Sequence, residues 1–423
     1  MYRSSRYPSI PFASLKWLAS KRPLLSVSSD PLYFLAPKRP GSYLQGPAMS
    51  SSQWTSVPRD FPSSGFKLLD SSVHIEEETL PTYQAQKYYP IQQGEVLNNQ
   101  HQASAKLGYG VTSTVWFGRD LVNSSYVALK IYVTGENRND ELNIYKHLNS
   151  VDWEHPGISA SELLEWIPGK AMTLEDMKVC TRQLLVVLDF LHSVAGVIHT
   201  DLQLKNLLLP TPKPEALSNF EEEEIRRPSA RKVLHDRTIY TSARFPPGDG
   251  LPLLSDFGEA RLSNKKHTED IMPNPYRAPE VILRASWDYK VDIWNIAMVY
   301  AEGMGYRELL DTHQNPDGIF DDRAHLAELV ALLGCPPPDF RERSHLSSVF
   351  WDDSGTWKEL APIPDITFES LAANIKGEDK DGFLRWIRRA LQWNPSDRPT
   401  ALELLYDEWL MKGLEQGKRE RSH

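Results

Sequence analysis

An apolar run with helical spacing, Met177, Leu184, Leu185, Leu188 and Leu191, leads within a few residues into His199-Thr200-Asp201-Leu202-Gln203-Leu204-Lys205-Asn206. No other stretch constrains the chain as strongly. The run predicts a buried helix over Thr173 to Ser193, with Thr173 and Asp176 as a capping-box variant at its start. An isolated Asp-x4-Asn is ordinarily loop capping, so the meaning of the octad depends on what stands around it.

Other motifs stand in order on either side. Leu107-Gly108-Tyr109-Gly110-Val111-Thr112-Ser113-Thr114-Val115 lies between two strand-like runs, where glycines let a backbone approach phosphates closely; alone, such a segment is more often a plain hairpin. Beyond it, Val127-Ala128-Leu129-Lys130 reads as an apolar strand ending in a lysine. A helix is expected from about Asn139 to Leu148, and its Glu141 is placed to pair with Lys130, the plain alternative being two solvated charges. Leu253-Leu254-Ser255-Asp256-Phe257-Gly258 supplies a further strand and an Asp-Phe-Gly triplet, and Ala278-Pro279-Glu280 follows.

Five motifs in this order resemble the eukaryotic protein kinases, over about Tyr88 to Leu410. The resemblance implies an α+β, bilobal kinase-like fold with a small β-rich lobe and a larger, mainly helical one. It also implies ATP and magnesium as cofactors. Leu107, Gly108, Gly110 and Val115 would then hold nucleotide, and Lys130 would clamp its phosphates with Glu141 as partner. Asp201 would take the proton of the substrate hydroxyl, while Asn206 and Asp256 would hold metal. Asp292 and Arg398 fall where kinases keep structural residues, the arginine pairing with Glu280.

Thr200 in place of the usual arginine, Ser113 at the third glycine, the Ser113–Trp116 run and the long insertion before Asp256 are similar to the SR-protein kinases, in particular their fungal members. That likeness implies serine or threonine phosphorylation of Arg/Ser-rich proteins, a part in mRNA splicing, activity without loop phosphorylation, and residence in cytoplasm and nucleus.

Two departures oppose activity. Gln203 stands where kinases usually keep a lysine that neutralises the transferring phosphoryl, with Lys205 two residues later as the replacement cation. Loss of such a contact costs about 3 kcal/mol of transition-state stabilisation. Moreover, Ser161 to Ile167 reads as a short helix, so only Asn149 to Ala160 remains for the two strands and hinge that the small lobe should still contain. A lost adenine site or an internal segment missing from the sequence would each produce this. The first makes the chain a pseudokinase that binds a basic partner, and a shortened lobe predicts exposed apolar surface on the helix of Glu141.

The expected organisation is a disordered or targeting tail over 1–87, a truncated small lobe over 88–157, a large lobe over 158–410 with a surface insertion at 210–252, and a tail over 411–423. From Met1 to Ser29 there is no acidic residue, and Arg3, Arg6, Lys16, Lys21 and Arg22 are interleaved with serines, which leaves mitochondrial import as an alternative destination. A net charge of −9 favours a basic peptide over nucleic acid. Cys180 and Cys335 stand far apart, which gives no disulfide framework or zinc site, and no run is long enough to span a bilayer. A monomer is expected.

Overall fold

A computed structural model describes residues 54–135, 139–149, 173–245, 248, 251–303, 320–373 and 375–412. The described residues divide into two compact units, one lying within 1–134 and 213–244 and the other within 135–212 and 245–423. The expected short helix at Ser161–Ile167, the twelve residues before it and the first 53 residues lie outside the described residues.

The first unit is built on an antiparallel sheet in sequential order, β1 (Val96–Leu97), β2 (His101–Tyr109), β3 (Ser113–Asp120) and β4 (Ser125–Tyr132). A bulge between Lys106 and Gly108 skips Leu107, after which Gly108 pairs with Val115 and Val115 with Lys130. Three of the expected nucleotide-binding positions thus stand in register across three strands. Trp116, Ile131, Ala103, Leu97 and Ile91 form the unit's apolar centre with Tyr240.

Tyr240 comes from the insertion, which corrects the sequence expectation. Residues 213–244 are neither a surface excursion nor a part of the large lobe, but fold with the sheet. After β5 (Val197–Ile198) and β6 (Leu207–Leu208) of the second unit, a helix at Pro214–Arg226 is followed by a hairpin of β7 (Arg231–Val233) and β8 (Thr238–Tyr240). Buried Glu221 accepts hydrogen bonds from Ser104 Oγ at 3.0 Å and Tyr126 Oη at 3.1 Å, and pairs with Arg119. Several of the charges that make the insertion look solvated are groups that dock it: Glu221 bonds to the sheet, Glu224 to Gln93 and Lys232 to Glu78.

The tail reading of 1–87 also fails over its described part. Thr55 N donates to Leu121 O at 2.8 Å, Gln102 exchanges hydrogen bonds with the Arg59 backbone, and Leu69 N donates to Arg231 O at 2.9 Å. A turn at Glu76–Thr79 sets three carboxylates on the rest of the unit. Glu76 accepts from Ser242, Glu77 from Lys106, and Glu78 from Lys232. Proline and serine keep this segment out of regular structure, but neighbouring strands satisfy its backbone.

Among the described residues of the second unit, the longer helices are α1 (Asn139–Asn149), α2 (Leu174–Phe190), α3 (Lys290–Gly303), α4 (Asp322–Leu333) and α5 (Glu378–Ala390). Thr173 caps α2 as expected, accepting from Asp176 N. The helix runs into a wider turn at Leu191–Ala195 that Gly196 ends at φ +63°, a left-handed conformation suited to glycine. α3 carries Val291, Ile293, Trp294, Ile296, Ala297 and Met298 at 2 % exposure or less, so it lies at the centre of the unit's core.

The expected boundary of the small lobe at 157 is corrected by α1, which groups with the second unit. Nor does its apolar face stay exposed. Ile144 and Leu148 join the large core, and the His147 ring lies 2.7 Å from Ala195 O.

Candidate active site

Short antiparallel pairs hold the site loops. β5 pairs with β10 (Arg261–Leu262), and β6 with β9 (Leu253–Leu254), so the loop after β5 and the Asp-Phe-Gly segment after β9 are drawn together. Ser255 N donates to Asn206 O at 2.8 Å, and His199 Nε2 donates to Ser255 O at 3.0 Å.

Asp292, at the start of α3, fixes the first of these loops. Its carboxylate accepts His199 N at 2.8 Å, Thr200 N at 2.9 Å and His192 Nε2 at 2.8 Å. Burial alone raises its pKa, but the bond from His192 and the charges of the two histidines outweigh burial and lower it. Thr200 sits at φ +64°, a left-handed conformation that is unfavourable for a β-branched residue. Two bonds hold it there, the backbone one to Asp292 and one from Oγ1 to Glu259 O at 2.6 Å.

The side chain of Asp201 lies between two amides. Asn206 Nδ2 donates to its Oδ2 at 2.7 Å and its backbone O at 2.8 Å, while Gln203 Nε2 donates to Oδ1. Burial raises the pKa of Asp201 and the nearby charge of Asp256 adds to it, against the charges of Lys205 and His199 and the bond from Asn206. Lys205 itself is exposed.

Asp256 has φ +61°, and its Oδ1 accepts from Gly258 N at 3.3 Å. A Cβ on Gly258 would stand 3.1 Å from Asp256 Oδ1 and 3.4 Å from Glu141 Oε2, so glycine there lets two acidic groups approach one backbone. Glu141 is buried, and Tyr145 one turn on meets the Phe257 ring edge-on at 5.8 Å, with His199 on Phe257 at 5.0 Å. Burial first, then the charges of Glu141 and Asp256, raise the pKa of the Tyr145 hydroxyl.

The second unit therefore brings Asp201, Asn206, Lys205, Asp256 and Glu141 into one framework. Leu107, Gly108, Gly110, Val115 and Lys130 belong to the first. Tyr88 Oη donates to Gly110 O at 2.9 Å, a brace on the glycine-rich turn that sequence reasoning missed. A cavity of about 200 Å³ beside Asp201, lined by Glu259, Asp270, Ile271 and Met272, was equally invisible. Its carboxylates lie far from Asp201 in sequence and belong to no motif.

Asn206 turns its amide nitrogen to Asp201, which leaves its oxygen, with the Asp256 carboxylate, as hard donors of the type magnesium takes. The residues present fit that ion.

The protein kinase domain family matches residues 154–410. The chain belongs to the protein kinase family. This kinase is 37% identical over 393 residues to a serine/threonine protein kinase of Aspergillus fumigatus, an alignment covering 85% of this chain and 96% of the relative. It is 27% identical to the serine/threonine-protein kinase SRPK of Physarum polycephalum, over 78% of this chain and 90% of that one. A probable serine/threonine-protein kinase of Dictyostelium discoideum, clkA, is 26% identical over 78% of this chain and 37% of its own length. A crystal structure of a kinase domain matches the fold with a TM-score of 0.58 at 21% identity, covering 77% of this kinase and 99% of that domain. The expected bilobal fold and serine/threonine kinase activity both stand. Among the described residues no helix is long and apolar enough to cross a membrane.

Proposed function

We propose that this serine/threonine kinase phosphorylates Arg/Ser-rich proteins of the kind that act in mRNA splicing. The observation that carries this reading is the acidic cavity at Asp201. A guanidinium on a residue flanking the phosphoacceptor would meet Glu259 and Asp270 there while the serine hydroxyl reaches Asp201. Arg277 already pairs with Asp270 at 3.3 Å, so an incoming arginine would share that carboxylate. The net charge of −9 favours such a substrate at long range.

In this reading, Asp201 accepts the hydroxyl proton as oxygen bonds to phosphorus, and its raised pKa makes it the stronger base. Gln203 and Asn206 hold its two oxygens in place. Lys130 clamps the nucleotide phosphates, with Gly108 and Val115 in register beside it. Asn206 and Asp256 would hold magnesium, which supplies charge neutralisation on the phosphates.

One observation favours a weaker enzyme or a pseudokinase. The alignment with the Aspergillus kinase runs over more positions than the part of this chain it takes in, so the relative carries residues with no counterpart here. Added to Gln203, this makes slow phosphoryl transfer the alternative.

Radiolabelled ATP with the full chain and two peptides tests the reading, one peptide of alternating arginine and serine and one with every arginine replaced by glutamine. Phosphate on the first alone supports it; equal labelling of both would sink the Arg/Ser preference, and labelling of neither would favour the pseudokinase.

A further inference from the structure

The segment Arg226-Arg227-Pro228-Ser229 begins on the last residue of the insertion helix and precedes β7. The side chains of Arg226 and Arg227 are 66% and 80% exposed, and both pair with Glu223 of the same helix. Ser229 differs. Its N donates to Glu224 Oε1 at 2.8 Å and its Oγ to Glu224 Oε2 at 2.7 Å, and Glu224 is buried.

That carboxylate is the corner of a small closed network. Gln93 Nε2 donates to Glu224 Oε1 at 2.8 Å and to Ser104 O of β2, also at 2.8 Å. Arg231 donates to Gln93 Oε1 at 2.8 Å, with its guanidinium 4.1 Å from the Phe66 ring centre and 4.6 Å from that of Tyr240. The helix, the hairpin, β2 and the segment at Phe66 are therefore joined through one serine-capped glutamate.

We propose that Ser229 is a phosphorylation site for an arginine-directed protein kinase, and that its phosphate undocks the insertion from the sheet. Two exposed guanidinia at two and three residues before a serine suit a substrate groove lined with carboxylates. The transfer breaks the bond from the γ-phosphorus of ATP to its bridging oxygen and forms one to Ser229 Oγ. ADP leaves, and the hydroxyl proton passes to the modifying kinase's base.

The product carries close to two negative charges and no donor hydrogen at Oγ. It faces a buried carboxylate and lies just past a helix C-terminus, where anions are also disfavoured. Arg231 lies beside the site, its Nε donating to Ser229 O at 3.3 Å, but its guanidinium is already held there by that carbonyl, Gln93 and two rings. Undocking would reach the glycine-rich strand, because Ala243 N donates to Lys106 O at 2.7 Å and Lys106 Nζ to Tyr240 O at 3.1 Å.

The test treats the full chain, its Ser229→Ala variant and a synthetic peptide spanning 224–234 with ATP and the catalytic subunit of cyclic-AMP-dependent protein kinase. Phosphopeptide mapping then locates the phosphate, and hydrogen exchange follows the amides of 214–240. The expected result is phosphate on Ser229 in peptide and full chain, with amide exchange over β7 and β8 about tenfold faster after modification, and no such change in the variant. An unmodified peptide would overturn the recognition, and a modified peptide beside an unmodified chain would overturn the site. Phosphate on Ser229 with unchanged or slower exchange would overturn the undocking, slower exchange meaning that Arg231 captures the phosphate.

Discussion

Gln203 donates its side-chain amide to one carboxylate oxygen of Asp201, in the position where a kinase ordinarily aims a lysine at the phosphoryl group. The contact orients the carboxylate but contributes no charge. Replacing the amide by a cation should therefore help the transition state more than it disturbs Asp201. For Gln203→Lys the expected outcome is kcat on an Arg/Ser peptide raised about tenfold or more with peptide KM little changed, as a neutral-to-charged contact in a closed site would give. Steady-state kinetics decide it, and a fall in kcat would show that the amide's hold on Asp201 matters more.

With Asp201 as the proposed proton acceptor, the acid limb of the rate profile should follow its carboxylate. Its pKa is raised above that of an ordinary aspartate, burial being the first cause. The proton acceptor is consumed as pH falls, so kcat should decline at a higher pH than a free carboxylate, near about 3.9, would produce. Gln203→Lys, by adding a positive charge, should move that limb to lower pH.

Asp292 has the opposite sign. Its folded-state pKa lies below the ordinary value, so it stabilises the fold at any pH above its unfolded pKa, and that contribution is lost as pH falls through the folded value. Urea titrations between neutral pH and pH 3 should show a steep loss of stability in the native chain and a shallower one in Asp292→Asn. The variant should also be slow at neutral pH, since His199 N and Thr200 N would have to share the single oxygen of an amide.

Arg398 and Glu280 form a two-bond ion pair at 2.6 and 2.7 Å with both side chains fully buried. Removing one member strands the other, which costs about 3–5 kcal/mol. Thermal unfolding of Arg398→Met should show a drop of that order, and the double change with Glu280→Leu should recover part of it. If the single change were silent, the pair would have no structural weight.

Metal binding is tested at Asp256. Wild-type chain should show a magnesium-dependent thermal shift with ATP that Asp256→Ala loses while its circular dichroism is unchanged. A shift retained in the variant would remove Asp256 from the proposed metal site.

The grouping of Asp201, Asn206 and Asp256 was legible because it is local. Asp201 and Asn206 share one turn, Asp256 and Gly258 another, and the strands that join them are adjacent to each. Asp292 was recognised as structural, but its three donors were not, since His192 and Thr200 are remote from it in sequence. The insertion was misread for a related reason. Glu221, Glu224 and Lys232 look like solvated charges until Arg119, Gln93 and Glu78, each more than a hundred residues earlier, are brought to them. Phe66 to Glu78 was misread as tail because its backbone partners come from other segments rather than from its own repeat. The shortened stretch before Thr173 lies outside the described residues.

The division of the chain has a consequence for synthesis. The sheet of β1 to β4 leaves the ribosome well before Pro214–Arg226, the helix that docks on Ser104 and Arg119, and between them the chain must begin the second unit. Until the hairpin after that helix emerges as well, Tyr240 cannot cover Trp116. The nascent sheet then carries exposed apolar surface of the kind that makes a partly folded chain prone to aggregate. No contiguous fragment ending before Arg244 can stand in for the finished unit.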